Sequence, residues 1–154
     1  MSIADRLRQI DVTLPPPGSP LGNYRTVVQT GNLLFLCGHT STKPGREVIG
    51  KLGADLSVEQ GYAAARSVAI DMLATIQAAA GSLDRVTRIV KLLGMVNSTP
   101  EFTNHPKVVN GASDFLVEVF GDRGQHARSA VGMAALPGNA AVEIEAIVEV
   151  ADAI

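Results

Sequence analysis

The chain is predicted to fold as one α+β domain, a mixed sheet with helices packed on one face. Three observations predict it. Hydrophobic periodicity changes along the chain in the order β-β-α-β-α-β-β, without the strict βαβ alternation of a doubly wound parallel sheet. The 154 residues fit a single core. Hydrophobic residues make up 46% and charged residues 18%, a balance that buries a core and argues against wholesale disorder.

Each element has its own signal. Residues 2–9 place Ile3 and Leu7, with Ile10 just beyond, on one face of a short amphipathic helix. Residues 14–21 carry Pro15, Pro16, Pro17 and Pro20, which fix an extended lead-in. Tyr24–Thr30 is rich in β-branched residues and Asn32–Cys37 is a short apolar run, with Gly31-Asn32 as a tight turn between two strands. Residues 41–53 hold Pro44, Gly45, Gly50 and Gly53 and read as a loop, with a brief strand at Glu47–Ile49. The clearest helix runs from Ser57 to Ala80. Ser57 and Gln60 form a capping-box pattern, Ala63, Val68, Met72, Ile76 and Ala79 recur at helical spacing, and Gly81 is the stop. A strand is expected over Val86–Val96, a polar loop over Asn97–Pro106 and a second helix over Val108–Phe120, ended by Gly121–Gly124. The last third reads as a C-terminal hairpin, Ser129–Leu136 and Val142–Val150, around Pro137–Ala140. Val142, Ile144, Ala146, Val148 and Val150 alternate with Glu143, Glu145 and Glu149. One layer of helices leaves a sheet face bare, so self-association is expected. The expected interface is the apolar face Val142/Ile144/Ala146/Val148 of that hairpin.

Composition narrows the partners. The net charge of −2 lacks the basic surplus that a general nucleic-acid binder needs. No apolar stretch is long enough to span a membrane, and the N-terminus has no apolar leader. One cysteine, Cys37, excludes an internal disulfide and fits a reducing, cytoplasmic setting. His39, His105 and His126 lack metal-ligand spacing, so no metal is expected. His105, in Asn104-His-Pro106, reads as a polar loop residue. Walker, dinucleotide, zincin and nucleophile-elbow motifs are all missing.

A few residues can carry chemistry. Cys37 reads first as a small buried hydrophobe. A reactive thiol paired with His39, two residues on, is the weaker alternative. Arg128 is either a surface charge at a strand edge or a bidentate clamp for a carboxylate, which its planar guanidinium matches. Glu143 is either part of a solvated strand face with Glu145 and Glu149, or a carboxylate that positions and activates water.

The stretch Ala127-Arg-Ser-Ala-Val-Gly-Met-Ala-Ala-Leu-Pro-Gly-Asn-Ala-Ala-Val-Glu-Ile-Glu-Ala-Ile147 closely resembles the signature of the Rid family, the reactive intermediate deaminases also called YjgF. That signature runs A-R-S-x-V, A-x-L-P, a short turn and V-E-I-E-A-I. Gly22-Asn-Tyr24 with Gly31-Asn-Leu-Leu-Phe-Leu-Cys-Gly38 is similar to the family's G-P-Y…G-N-x-x-x-x-S-G-Q block, and Asn110 lies in a segment that resembles V-N-x-x-Y-x-x-F.

The resemblance implies a chorismate-mutase-like domain that forms a homotrimer with ligand pockets between subunits. It implies cofactor-free, metal-free hydrolysis of 2-imino acids or enamines to 2-keto acids and ammonia. Arg128 maps onto the carboxylate clamp and Glu143 onto the group that orients water. Tyr24, Gly38 and Asn110 map onto substrate-binding positions. It covers residues 22–148, so residues 1–21 read as an N-terminal extension and residues 22–154 as the domain. Cys37, His39, Asn23, Ala130 and Ser113 depart from the archetype, and the loop before Asn110 is longer. A non-catalytic trimer that binds small carboxylates through Arg128 is the alternative function.

Overall fold

The structure is a computed structural model and describes residues 1–151. The elements are α1 (Ile3–Gln9), β1 (Val27–Thr30), β2 (Leu33–Leu36), β3 (His39–Thr40), α2 (Val58–Ala80), β4 (Val86–Asn97), α3 (His105–Phe120), β5 (Ala127–Met133) and β6 (Val142–Val150). The six strands form one mixed sheet in the order β1-β2-β6-β4-β5, with β3 also paired to β6. β4 and β5 run parallel, and every other pair is antiparallel.

Local chemistry sets the main boundaries. The Ser57 hydroxyl accepts from the Gln60 N–H while the Gln60 side chain accepts from the Ser57 N–H. This closes the α2 capping box and contributes about 1 kcal/mol. Gly81 ends α2 in the left-handed region at φ 79°, where a side chain would be strained. The β1–β2 turn uses Gly31 at φ 55° for the same reason.

The core lies between the sheet and the α2/α3 layer. Ile89, Leu92, Val96, Ile144 and Val148 share it with Val68, Met72, Ile76, Phe115 and Leu116, all at most 1% exposed. Burying each such side chain stabilises the fold by roughly 1.5–3 kcal/mol. The two helices approach closely because Gly111 has no side chain: a Cβ there would meet the Tyr62 carbonyl oxygen at 2.0 Å. α3 then sits on β4 through Val109, whose methyls occupy the space a Cβ on Gly94 would need. α1 adds Ile3 and Leu7 to the same core, and the Asp84 carboxylate accepts from the Ile3 N–H at 2.7 Å.

Several expectations are corrected. β5 and β6 do not form a hairpin, because β4 lies between them. The parallel β4–β5 pairing requires a crossover, which α3 supplies. The apolar face of β6 is not free for a partner either: Val142, Ile144 and Val148 are fully buried in the chain's own core and Ala146 is 4% exposed. The bare face is the opposite one, which carries Val28, Phe35, Leu93, Ile147 and Val131. α3 starts at His105, inside the expected loop, with Pro106 in its first turn, where a missing N–H costs nothing. β5 begins at Ala127 and stops at Met133, short of Leu136, and Glu47–Ile49 contributes only an isolated bridge, Ile49 to Ala140.

Candidate functional site

Two clusters carry the candidate residues, and the sheet separates them. In the register of β5 on β4, Arg128 lies opposite the buried Leu92, so it shares the helix-facing side. There its Nη1 donates to Asn110 Oδ1 at 2.8 Å and to Ser113 Oγ at 3.0 Å, both on α3. Arg128 is therefore neither a loose surface charge nor ion-paired among the described residues, and the rest of its five-donor fork is open to a ligand carboxylate.

A hydrogen-bond chain orders this clamp. His126 Nδ1 lies 2.7 Å from the Gly124 carbonyl oxygen, which can only accept, so Nδ1 carries the proton. Nε2 of the neutral ring then accepts from the Ser113 hydroxyl at 2.9 Å, leaving the Ser113 oxygen to accept from Arg128. Burial lowers the His126 pKa, and the Arg128 charge lowers it further, which favours the neutral ring that the chain requires. Sequence reasoning nominated Arg128 and Asn110 separately, without a contact between them. It missed Ser113 and His126, because these three residues come together only once α3 lies over β5.

Glu143 belongs to the other side of the sheet. It lies opposite Met95 and Thr40, and its carboxylate rests against the backbone of Gly38. A Cβ on Gly38 would fall 2.0 Å from Glu143 Oε1, so the missing side chain at Gly38 makes room for the carboxylate. Burial raises the Glu143 pKa and the Glu145 charge adds to the rise, as suits a carboxyl that takes and returns a proton. Beside Gly38 a cavity of about 310 Å³ is lined by Tyr24, Cys37, Thr40 and Lys43. Tyr24 is half exposed, and its hydroxyl accepts from the Leu21 N–H at 3.1 Å. One chain thus brings Tyr24 and Gly38 to one cavity, with Glu143 against Gly38, and separately joins Asn110 to Arg128. The two groups do not meet within it.

The Cys37–His39 pairing does not form. β3 turns His39 into the core, where Nδ1 donates to the Cys37 carbonyl at 2.9 Å and Nε2 accepts from the Thr75 hydroxyl at 2.8 Å. The Cys37 thiol instead points to the Gly38 carbonyl at 3.6 Å, and burial, reinforced by Glu143, raises its pKa away from thiolate. Among the described residues no three His, Cys, Asp or Glu side chains group as metal ligands, and no helix is long and apolar enough to cross a membrane.

Comparison with known proteins places the fold in a family. Protein TCP17 of Trypanosoma cruzi is 46% identical over 149 residues, 96% of this chain and 93% of its own. The crystal structure of Atu1372 from Agrobacterium tumefaciens is 42% identical and superposes with a TM-score of 0.88 over 97% of this chain and 94% of that one. A protein of Dermatophagoides farinae named 2-iminobutanoate/2-iminopropanoate deaminase is 27% identical over 139 residues, 89% of this chain and 93% of its own. Residues 4–150 match the family described as "YjgF/chorismate_mutase-like, putative endoribonuclease". On that match and this fold, the chain belongs to the YjgF/chorismate-mutase-like family, the Rid proteins.

Proposed function

We propose that the chain hydrolyses small 2-imino acids, or their enamine tautomers, to 2-keto acids and ammonia in clefts between the subunits of a homotrimer, without a cofactor. The observation that carries this reading is the pair of half-sites. An ordered guanidinium clamp and a water-facing carboxylate in a glycine-made recess occupy different patches of one chain. Two unlike patches that complement each other meet head to tail, and such contacts close into a ring when the rotation between copies closes. The bare sheet face supplies the apolar surface for that ring.

The chemistry needs little more. Arg128 holds the substrate carboxylate and fixes the iminium carbon. Glu143 of a second copy takes a proton from water as the oxygen attacks that carbon. That proton passes to nitrogen, and as the C–N bond breaks Glu143 takes the remaining hydroxyl proton, so ammonia leaves with the keto acid behind and the proton is released to solvent. The iminium carbon is already electrophilic, so orientation and one proton acceptor are enough. The name of the mite relative supports this reading. The endoribonuclease in the family description fits less well, since a net charge of −2 gives little to hold an RNA backbone.

The test is a coupled assay in which an amino-acid oxidase generates the imine and keto-acid release is followed. Arg128→Ala is expected to weaken binding and turnover together, by tenfold or more, because the clamp acts in ground and transition states alike. Glu143→Gln is expected to lower kcat more than it weakens binding. No hydrolysis by the wild type, with Arg128→Ala losing ligand affinity, would replace the enzyme with a carboxylate-binding protein, and full hydrolysis by Glu143→Gln would remove Glu143 from the water-activating role.

A further inference from the structure

β5 is an edge strand, and its helix-facing positions Arg128, Ala130 and Gly132 lead toward the N-terminal end of α3. Arg128 stands at one end of this row. At the other end a cavity of about 530 Å³ is lined by Lys51, Ser98, Phe102, His105 and Gly132. Gly132 keeps it open: a Cβ there would lie 2.4 Å from His105 Nε2 and 2.7 Å from Ser98 Oγ. Those two groups are hydrogen-bonded to each other at 3.0 Å, and the Phe102 ring packs edge-on to His105 with centroids 5.4 Å apart.

Lys51 gives the cavity its sign. Its ammonium donates to Asn97 Oδ1 at 2.7 Å and to the Ala134 carbonyl at 2.6 Å, both neutral acceptors. Asn97 is fully buried and is itself fixed, its amide donating to the Gly50 carbonyl and to Asn139 Oδ1 at 3.0 Å each. Among the described residues no carboxylate is ion-paired with the Lys51 ammonium, the Asp55 carboxylate meeting only the Lys51 backbone N–H at 2.9 Å. The ammonium is therefore held in place by a built network, has a third N–H to offer, and has an uncompensated charge. A partly buried, unpaired cation is stabilised by an incoming anion.

We propose that this cavity takes the distal carboxylate of the substrate, so that the preferred substrates are four- or five-carbon dicarboxylic 2-imino acids. The α-carboxylate sits on Arg128, and the side-chain carboxylate meets Lys51, Ser98 and His105. The inference rests on the deaminase reading of Arg128 and Glu143. The span agrees with it. Arg128 bonds α3 at Asn110 and Ser113, while His105 opens the same helix. At about 1.5 Å per residue the two ends lie roughly 8–12 Å apart along the axis. Charge-assisted contacts take about 2.8 Å at each end, which leaves roughly 2–6 Å between the two carboxylates. A four- or five-carbon diacid fills that gap, and a three-carbon imino acid leaves the Lys51 end empty.

The experiment compares kcat/KM for imines generated from glutamate and from alanine, in wild type, Lys51→Met and Lys51→Arg. Wild type is expected to favour the dicarboxylic imine by tenfold or more. Lys51→Met, which keeps the apolar stem, is expected to reduce that ratio at least tenfold, and Lys51→Arg to retain most of it. A wild-type ratio at or below one, or a ratio unchanged in Lys51→Met, overturns the proposal, and the wild-type ratio decides even if a variant fails to fold. Calorimetric binding of glutarate against butyrate separates the two readings. Hydrolysis of imines with no preference for glutarate removes the distal site alone. Preference for glutarate that depends on both Lys51 and Arg128, with no imine hydrolysed, removes the deaminase and keeps the site.

Discussion

Replacing Gly38 by alanine adds one methyl group where the Glu143 carboxylate now rests. The new Cβ would stand 2.0 Å from Oε1, 2.9 Å from Cδ and 3.1 Å from Cγ. Ordinary contact begins near 3.4 Å, so Oε1 must retreat by about 1.4 Å. Gly38 has no positive φ, so its backbone accepts alanine without strain. The burden falls on Glu143, a partly exposed side chain that can leave its rotamer for roughly 0.5–1.5 kcal/mol. In a chain of this size that lowers Tm by only about 1–6 °C. Catalysis is far more sensitive, since a misplacement near 1 Å can cost about a hundredfold. Gly38→Ala is therefore expected to fold, to melt within a few degrees of wild type, and to lose about a hundredfold in kcat/KM for imine hydrolysis. In a Glu143→Gln background the same change is expected to add little, because the group it displaces is already disabled. Thermal melting by circular dichroism and the coupled keto-acid assay give both numbers. Undiminished hydrolysis by a folded Gly38→Ala variant would refute the argument that Glu143 acts from its recess against Gly38.

Three further outcomes are expected. Glu145 raises the Glu143 pKa and hydrolysis needs the ionised form, so Glu145→Gln should move the acid limb of the kcat/KM–pH profile to lower pH; an unmoved limb assigns it to another group. Burial lowers the His39 pKa from its ordinary 6.5, so the unfolded chain takes up the proton first as pH falls. Stability is then lost between about 6.5 and the lowered native value, and His39→Gln should show a smaller drop in urea midpoint between pH 7.5 and 5.5 than wild type. Phe35 is 42% exposed on the bare sheet face, so Phe35→Glu should yield monomers in sedimentation velocity and lose hydrolysis with the ring; an intact oligomer would move the interface elsewhere.

Much of the fold was legible because its signals are local. The α2 limits follow from Ser57, Gln60 and Gly81, which act within a turn of the backbone they cap. The side-to-side alternation of β6 follows from a period of two. The nomination of Arg128, Glu143, Gly38, Tyr24 and Asn110 came from a motif resemblance, with no reading of how they meet. Only the tertiary structure placed β4 between β5 and β6, because a strand's neighbours are chosen by ladder hydrogen bonds and burial across the whole chain. The same choice turned the apolar side of β6 into the core and left Phe35 and Val131 outside. Docking α3 over β5 assembled the Arg128–Ser113–His126 chain, and the end of β4 set Ser98 beside His105. Neither arrangement has a local periodicity to betray it, since each joins side chains that are distant along the chain and adjacent only after packing.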